Sequence, residues 1–115
     1  MISFDEFFDI VPEVEYFPSF DPTGERDGVS FEGIKALAYE GAVYKGNNTK
    51  VFAHIGFPEN VRGPVPAVVL IHGGGGHPDD IWIKKWNERG YAAISMDTTG
   101  YFPVKRIPHL YEGFS

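Results

Sequence analysis

The sequence predicts an α/β fold, a β-hairpin followed by a β-α-β unit, and three stretches carry the prediction. Val51, Ala53, Ile55 and Phe57 alternate with Phe52, His54 and Gly56, the period of two that marks a strand. Ala67-Val68-Val69-Leu70-Ile71 is an unbroken aliphatic run that stops at four consecutive glycines, Gly73 to Gly76. A stretch with helical apolar spacing follows and leads into a second apolar run, Tyr91–Met96.

The chain begins with an acidic, aromatic arm over residues 1–33, with a net charge of −8 against +2 for residues 34–115. Ser3 with Glu6 fits a capping box, so a short helix is expected over about residues 3–10. Pro12, Pro18, Pro22 and Gly24 then forbid any long regular element. Acidic tails that recruit basic partners are poor in aromatic residues. This arm carries Phe4, Phe7, Phe8, Tyr16, Phe17, Phe20 and Phe31, so its rings are expected to lie on the domain and its carboxylates in water.

From Ile34 the pattern is that of strands. Ala36–Tyr44, broken by Gly41, pairs with the 51–57 run, and Gly46-Asn47-Asn48-Thr49 supplies residues that tolerate positive φ in the turn. The face of Val51, Ala53, Ile55 and Phe57 is expected to be the well-buried one. His54 falls on the less apolar face, where a structural hydrogen bond is its expected role.

Ala67–Ile71 has the composition of a strand covered on both faces, as in parallel sheets. Pro78 suits a first helical position, and Asp79 and Asp80 suit the first turn. Trp82, Ile83 and Trp86 form the apolar stripe, and Gly90 stops the helix. With Tyr91–Met96 as the next strand, a parallel β-α-β unit results.

Four glycines exceed what a turn requires. Residues without a side chain let backbone N–H groups approach a ligand closely, and a helix N-terminus just beyond favours negative charge. Two functions use this arrangement: binding a phosphate, and stabilising the oxyanion of an acyl-transfer intermediate. A dinucleotide-binding module would use Gly73, Gly75 and Asp97, but its third glycine would fall on Pro78, and no Gly-Lys-Ser/Thr follows. His72, His77, Asp79 and Asp80 match no established metal-ligand spacing, so no metal and no cofactor is expected.

The oxyanion alternative is favoured by a resemblance. His72-Gly73-Gly74-Gly75-Gly76 after Pro66–Ile71 is similar to the strand and HGGG-type loop of α/β-hydrolases. Trp86-Asn87-Glu88-Arg89-Gly90-Tyr91-Ala92-Ala93-Ile94-Ser95-Met96-Asp97-Thr98-Thr99-Gly100 resembles the same segment in acetyl xylan esterase-like and dienelactone hydrolase-like members. The resemblance covers about residues 34–103. It implies the N-terminal part of an α/β-hydrolase fold in residues 34–115, with an incomplete sheet. It also implies a serine-type ester hydrolase acting on a small acyl ester of a carbohydrate, with an oxyanion donor at Gly74 or Gly75.

The remainder of the family's machinery has no counterpart. Serines stand at 3, 19, 30, 95 and 115, and none lies in Gly-x-Ser-x-Gly. Gly113-Phe114-Ser115 is a half-match after Pro108–Glu112, which is no strand. In the family's order the acid and the histidine follow the serine, so neither His72 nor His109 substitutes for the base. No catalytic residue is assigned, the oxyanion loop is His72, Gly73, Gly74, Gly75 and Gly76, and the isolated chain is expected to be inactive. A non-catalytic remnant that pairs with another chain is the alternative from a different class.

Composition narrows the partners. With no cysteine, disulfides, thiolate metal sites and cysteine nucleophiles are excluded. A net charge of −6 argues against nucleic acid. No apolar run approaches a membrane span, and the acidic N-terminus lacks a secretory pattern, so a cytoplasmic protein is expected. In the α/β-hydrolase order the strand at Ala67–Ile71 has a later strand beside it, which these residues do not supply. That edge is expected to be unpartnered and to drive self-association or leave the fold marginal.

Overall fold

The computed structural model of the chain describes residues 13–41, 45–47, 49–71 and 78–97. The helix expected near residues 3–10, the loop His72–His77 and everything after Asp97 lie outside these residues. The strands are β1 (Val14–Tyr16), β2 (Glu25–Arg26), β3 (Val29–Ser30), β4 (Lys35–Glu40), β5 (Lys50–Gly56), β6 (Ala67–Ile71) and β7 (Ala92–Met96). Among the described residues one α-helix, α1 (Asp80–Glu88), joins β6 to β7.

Five strands make one mixed sheet in the order β1-β4-β5-β7-β6. The expected hairpin is β4 against β5, paired from Lys35↔Ile55 to Glu40↔Lys50. Gly41 ends the first strand sooner than expected, and its N–H donates to the Thr49 carbonyl at 2.9 Å. In the turn, Lys45 and Gly46 both adopt positive φ, at 49° and 78°. The β-α-β unit is present as β6 and β7 in parallel, Ala67↔Ala92 to Ile71↔Met96. β7 then pairs antiparallel with β5, which welds the hairpin to the β-α-β unit.

Helix α1 starts two residues later than proline alone suggests. Asp79 is the N-cap, its carboxylate accepting the Trp82 N–H at 3.2 Å, so Pro78 precedes the cap and is fully buried. The helix ends as Gly90 predicts. Gly90 takes φ +89°, its N–H reaches the Asn87 carbonyl, and the Tyr91 N–H reaches the Trp86 carbonyl at 3.1 Å. Tyr91 therefore closes the helix instead of opening β7, and its ring meets Trp86 edge-on at 5.1 Å.

The register puts Ile34, Ala36, Ala38, Phe52, His54, Gly56, Ala93, Ser95, Val68 and Leu70 on one face of the sheet. Helix α1 lies on this face, with Ile83 buried against Ile34 and Ala93. Trp86, one turn on, packs beside them, whereas Trp82 points away from the sheet and is half-exposed under Lys85. Gly56 permits the close approach: a Cβ there would lie 2.6 Å from both Ile83 Cγ2 and Asn87 Oδ1. This corrects the expected orientation of β5. Both faces of β5 are apolar enough to be buried, and the helix selects the one bearing Phe52 and His54, leaving Phe57 exposed.

The arm covers the rest of that face. Phe17 and Phe20 pack on Ala36, Ala38 and Phe52, and Phe31 packs beside Ile34. Glu13, Glu15, Glu25, Asp27 and Glu32 face water. Asp21 is the exception, accepting the Ala36 N–H at 2.7 Å. β2 and β3 form a two-residue hairpin on Asp27 (φ 52°) and Gly28 (φ 79°), the turn that Asp-Gly favours.

On the opposite face the expectation of complete cover fails for β6. Val69 is 57% and Ile71 75% exposed, while Val68 and Leu70 pack toward α1. Among the described residues β6 is the outermost strand, with α1 on one face only, so alternate residues meet water.

Candidate functional site

The sequence singles out the junction between β6 and α1. His72, Gly73, Gly74, Gly75 and Gly76 lie outside the described residues, but both of their attachment points are described. One is Ile71, the last residue of β6; the other is Pro78, just ahead of the Asp79 cap. The glycines thus connect the C-terminal end of a parallel strand to a helix N-terminus.

Two neighbouring strands fix that helix N-terminus. His54 of β5 and Ser95 of β7 are cross-strand partners on the face that α1 covers. The Ser95 hydroxyl accepts the Asp79 N–H at 2.9 Å. The His54 Nδ1 lies 2.6 Å from Asp80 Oδ1. A carboxylate only accepts, so Nδ1 carries the proton and donates. The Phe52 ring meets the His54 ring edge-on at 5.4 Å, which holds the imidazole upright between strand and helix. The structural role expected for His54 is the one it has.

Ser95, His54 and Asp80 have the residue types of a hydrolytic triad, yet their placement rules out that chemistry. Ser95 is fully buried, and its hydroxyl is engaged by a backbone N–H. A nucleophile must reach a carbonyl carbon from an open surface. These groups position a helix. Sequence reasoning did not find them as a unit, because a single histidine and a single serine in two apolar strands carry no spacing signal.

Asp97, the acid a dinucleotide site would need, follows the last residue of β7 and is only 7% exposed. Its N–H donates to the Phe52 carbonyl at 2.8 Å. The first turn of α1 already holds two carboxylates, Asp79 on the Trp82 N–H and Asp80 on His54. They oppose a second negative group there. Beneath the same strand end, burial raises the Tyr39 phenol above its ordinary value, and its hydroxyl faces the Met96 sulfur at 3.7 Å. No group of three or more metal-ligating side chains occurs among the described residues, and no helix among them is long and apolar enough to cross a membrane.

Comparison with curated proteins gave no match, and neither did comparison with solved structures. Comparison with protein families did: residues 2–106 match acetyl xylan esterase (AXE1). That span takes in the arm, the hairpin, the glycine junction and the β-α-β unit alike, and the chain belongs to the acetyl xylan esterase (AXE1) family.

Proposed function

We propose that this chain carries the oxyanion-stabilising part of a serine-type carboxylic ester hydrolase acting on small acyl esters of carbohydrates. The family match over residues 2–106 carries the reading. The strand order supports it, because the glycines follow an outer parallel strand whose chain crosses over α1 to an inner one, as in the N-terminal part of an α/β-hydrolase sheet. The N–H of Gly74 or Gly75 would meet the negative oxygen that forms when a nucleophile adds to the ester carbonyl. Losing one such donor costs about 3–4 kcal/mol of transition-state stabilisation. His54 and Ser95 hold the helix end of the loop, so these donors need no reorganisation at that anchor.

The nucleophile, the base and the acid have no counterpart in these 115 residues, since no serine lies in Gly-x-Ser-x-Gly. The chain by itself is therefore proposed to be inactive toward activated acetyl esters such as 4-nitrophenyl acetate. Its turnover should equal that of a Gly74→Pro variant. Turnover above that level, with an organophosphonate labelling Ser115, would overturn this assignment. Calorimetric titration with NAD separates the esterase reading from the dinucleotide one. No saturable heat is expected, and a micromolar site lost in Asp97→Ala would replace the esterase reading.

A further inference from the structure

The arm reaches the helix end of the glycine junction through packed rings. On β4 the cross-strand partners of Phe52 and His54 are Ala38 and Ala36. Two alanines beside two rings leave a hollow that the strands themselves do not fill. Phe17 and Phe20 of the arm fill it, edge-to-face with each other at 6.4 Å and packed on Ala36, Ala38 and Phe52. The Phe52 ring in turn meets the His54 ring at 5.4 Å, and His54 Nδ1 donates to Asp80 at 2.6 Å. The arm also engages both backbone groups of Ala36. The Ala36 carbonyl accepts the Phe17 N–H at 2.9 Å, and the Ala36 N–H donates to the Asp21 carboxylate at 2.7 Å. Asp21 thus stands where a neighbouring strand would offer a carbonyl.

We infer that Phe20 and Asp21 are positioning residues for the first turn of α1: they hold Phe52 and Ala36, and these hold the His54 imidazole on Asp80. The functional weight of that turn rests on the oxyanion reading of the glycine junction, whereas the contact path does not. Truncating Phe20 opens space over Ala38 into which the Phe52 ring can turn, and the turn takes its edge away from His54. The imidazole then loses the wall that keeps its N–H aligned with the carboxylate, and a hydrogen bond weakens steeply with misalignment. Removing the Asp21 carboxylate frees the β4 backbone at Ala36, directly opposite His54. Packed side chains that end in a polar contact are the kind of route by which one site displaces another.

Nitrogen–proton NMR of the chain reads the imidazole directly. The wild type is expected to show His54 as a single tautomer with its proton on Nδ1 and slow exchange of that proton. Phe20→Ala and Asp21→Ala should speed its exchange by about ten-fold or more. The Asp79 N–H, held by Ser95, should follow, and by a larger factor than the Ile94 N–H in the interior of the sheet. Phe20→Leu keeps the bulk and Asp21→Asn keeps an acceptor, so both should restore the wild-type signal. Phe31→Ala removes a ring of the same arm that packs beside Ile34 instead, and should leave His54 unchanged. If Phe20→Ala does not fold, Asp21→Ala decides alone, because Asp21 is only half-buried. An unchanged His54 signal in the folded variants would overturn the inference, as would the same change in Phe31→Ala. A dinucleotide site found by calorimetry would replace the oxyanion reading and leave this result standing.

Discussion

The two edges of the sheet differ in how they are finished. β1 is three residues long, with Pro12 and Pro18 on either side, and carries Glu15, which reaches Lys50 of β5 at 3.7 Å. β6 is five residues long, uncharged and β-branched, and shows water a row of aliphatic side chains. Short length, charge and proline are the usual means by which an edge discourages a further strand. β1 has all three, while β6 has prolines only ahead of it. Among the described residues no strand pairs with the outer side of β6, so a further strand is expected there and not at β1.

The comparison depends on a shared centre, and removing that centre gives the largest effect. Phe52 is buried on β5 against Ala36 and Ala38, with Phe17 and Phe20 over it. Phe52→Ala should cost ~4 kcal/mol in urea unfolding. Both margins should then be lost in one transition, because each hangs on the β4–β5 hairpin. Separate transitions for the tryptophan signal of α1 and the β-sheet circular dichroism would show that the two halves are independent.

A smaller effect separates the halves. His54→Ala leaves the half-buried Asp80 carboxylate, in the first turn of α1, without its ring donor. A loss of ~2 kcal/mol is expected, concentrated in α1 and β6 rather than in β1. Equal loosening of β1, followed by amide exchange, would mean that His54 supports the whole sheet and not the helix end.

The smallest energetic effect is the sharpest test of what closes β1. The Lys50–Glu15 pair is exposed on both sides and contributes less than ~1 kcal/mol. Replacing Glu13 and Glu15 by valine should barely change the unfolding midpoint, yet it should make the β1 margin self-associate. Sedimentation of the doubly substituted chain beside the unsubstituted one would show added self-association if charge closes β1, and no difference if length does.

Much of this architecture was legible in the sequence because it follows from periodicity. The hairpin, the parallel pair and the helix stop at Gly90 each rest on a local pattern that tertiary contacts reinforce. The edge strand β1 was not legible, since three exposed residues between prolines carry no alternation and form only where β4 offers a ladder. The orientation of β5 was misread for a related reason. Phe52 and Ile55 are equally apolar, and only the position of α1 decides which side is inside. The hairpin at Asp27-Gly28 was not read either, because its two-residue strands are too short to show a pattern. At the candidate site, the glycine motif was legible from its composition, whereas the anchoring of α1 by His54 and Ser95 joins residues 26 and 16 positions away in sequence.

That anchoring has a consequence in time. The helix end of the glycine junction is tied to β5 and β7, strands in the interior of the sheet, while the other end is the last residue of β6, at its margin. Interior strands open only when the whole domain unfolds, and margins fray far more often. The two ends of one short connection are therefore expected to run on different clocks, Pro78 and Asp79 opening with the whole domain and Ile71 with the margin. Anything that lengthens the stay of β6 in the sheet, by lying along its outer side, also slows the motion at that end of the junction.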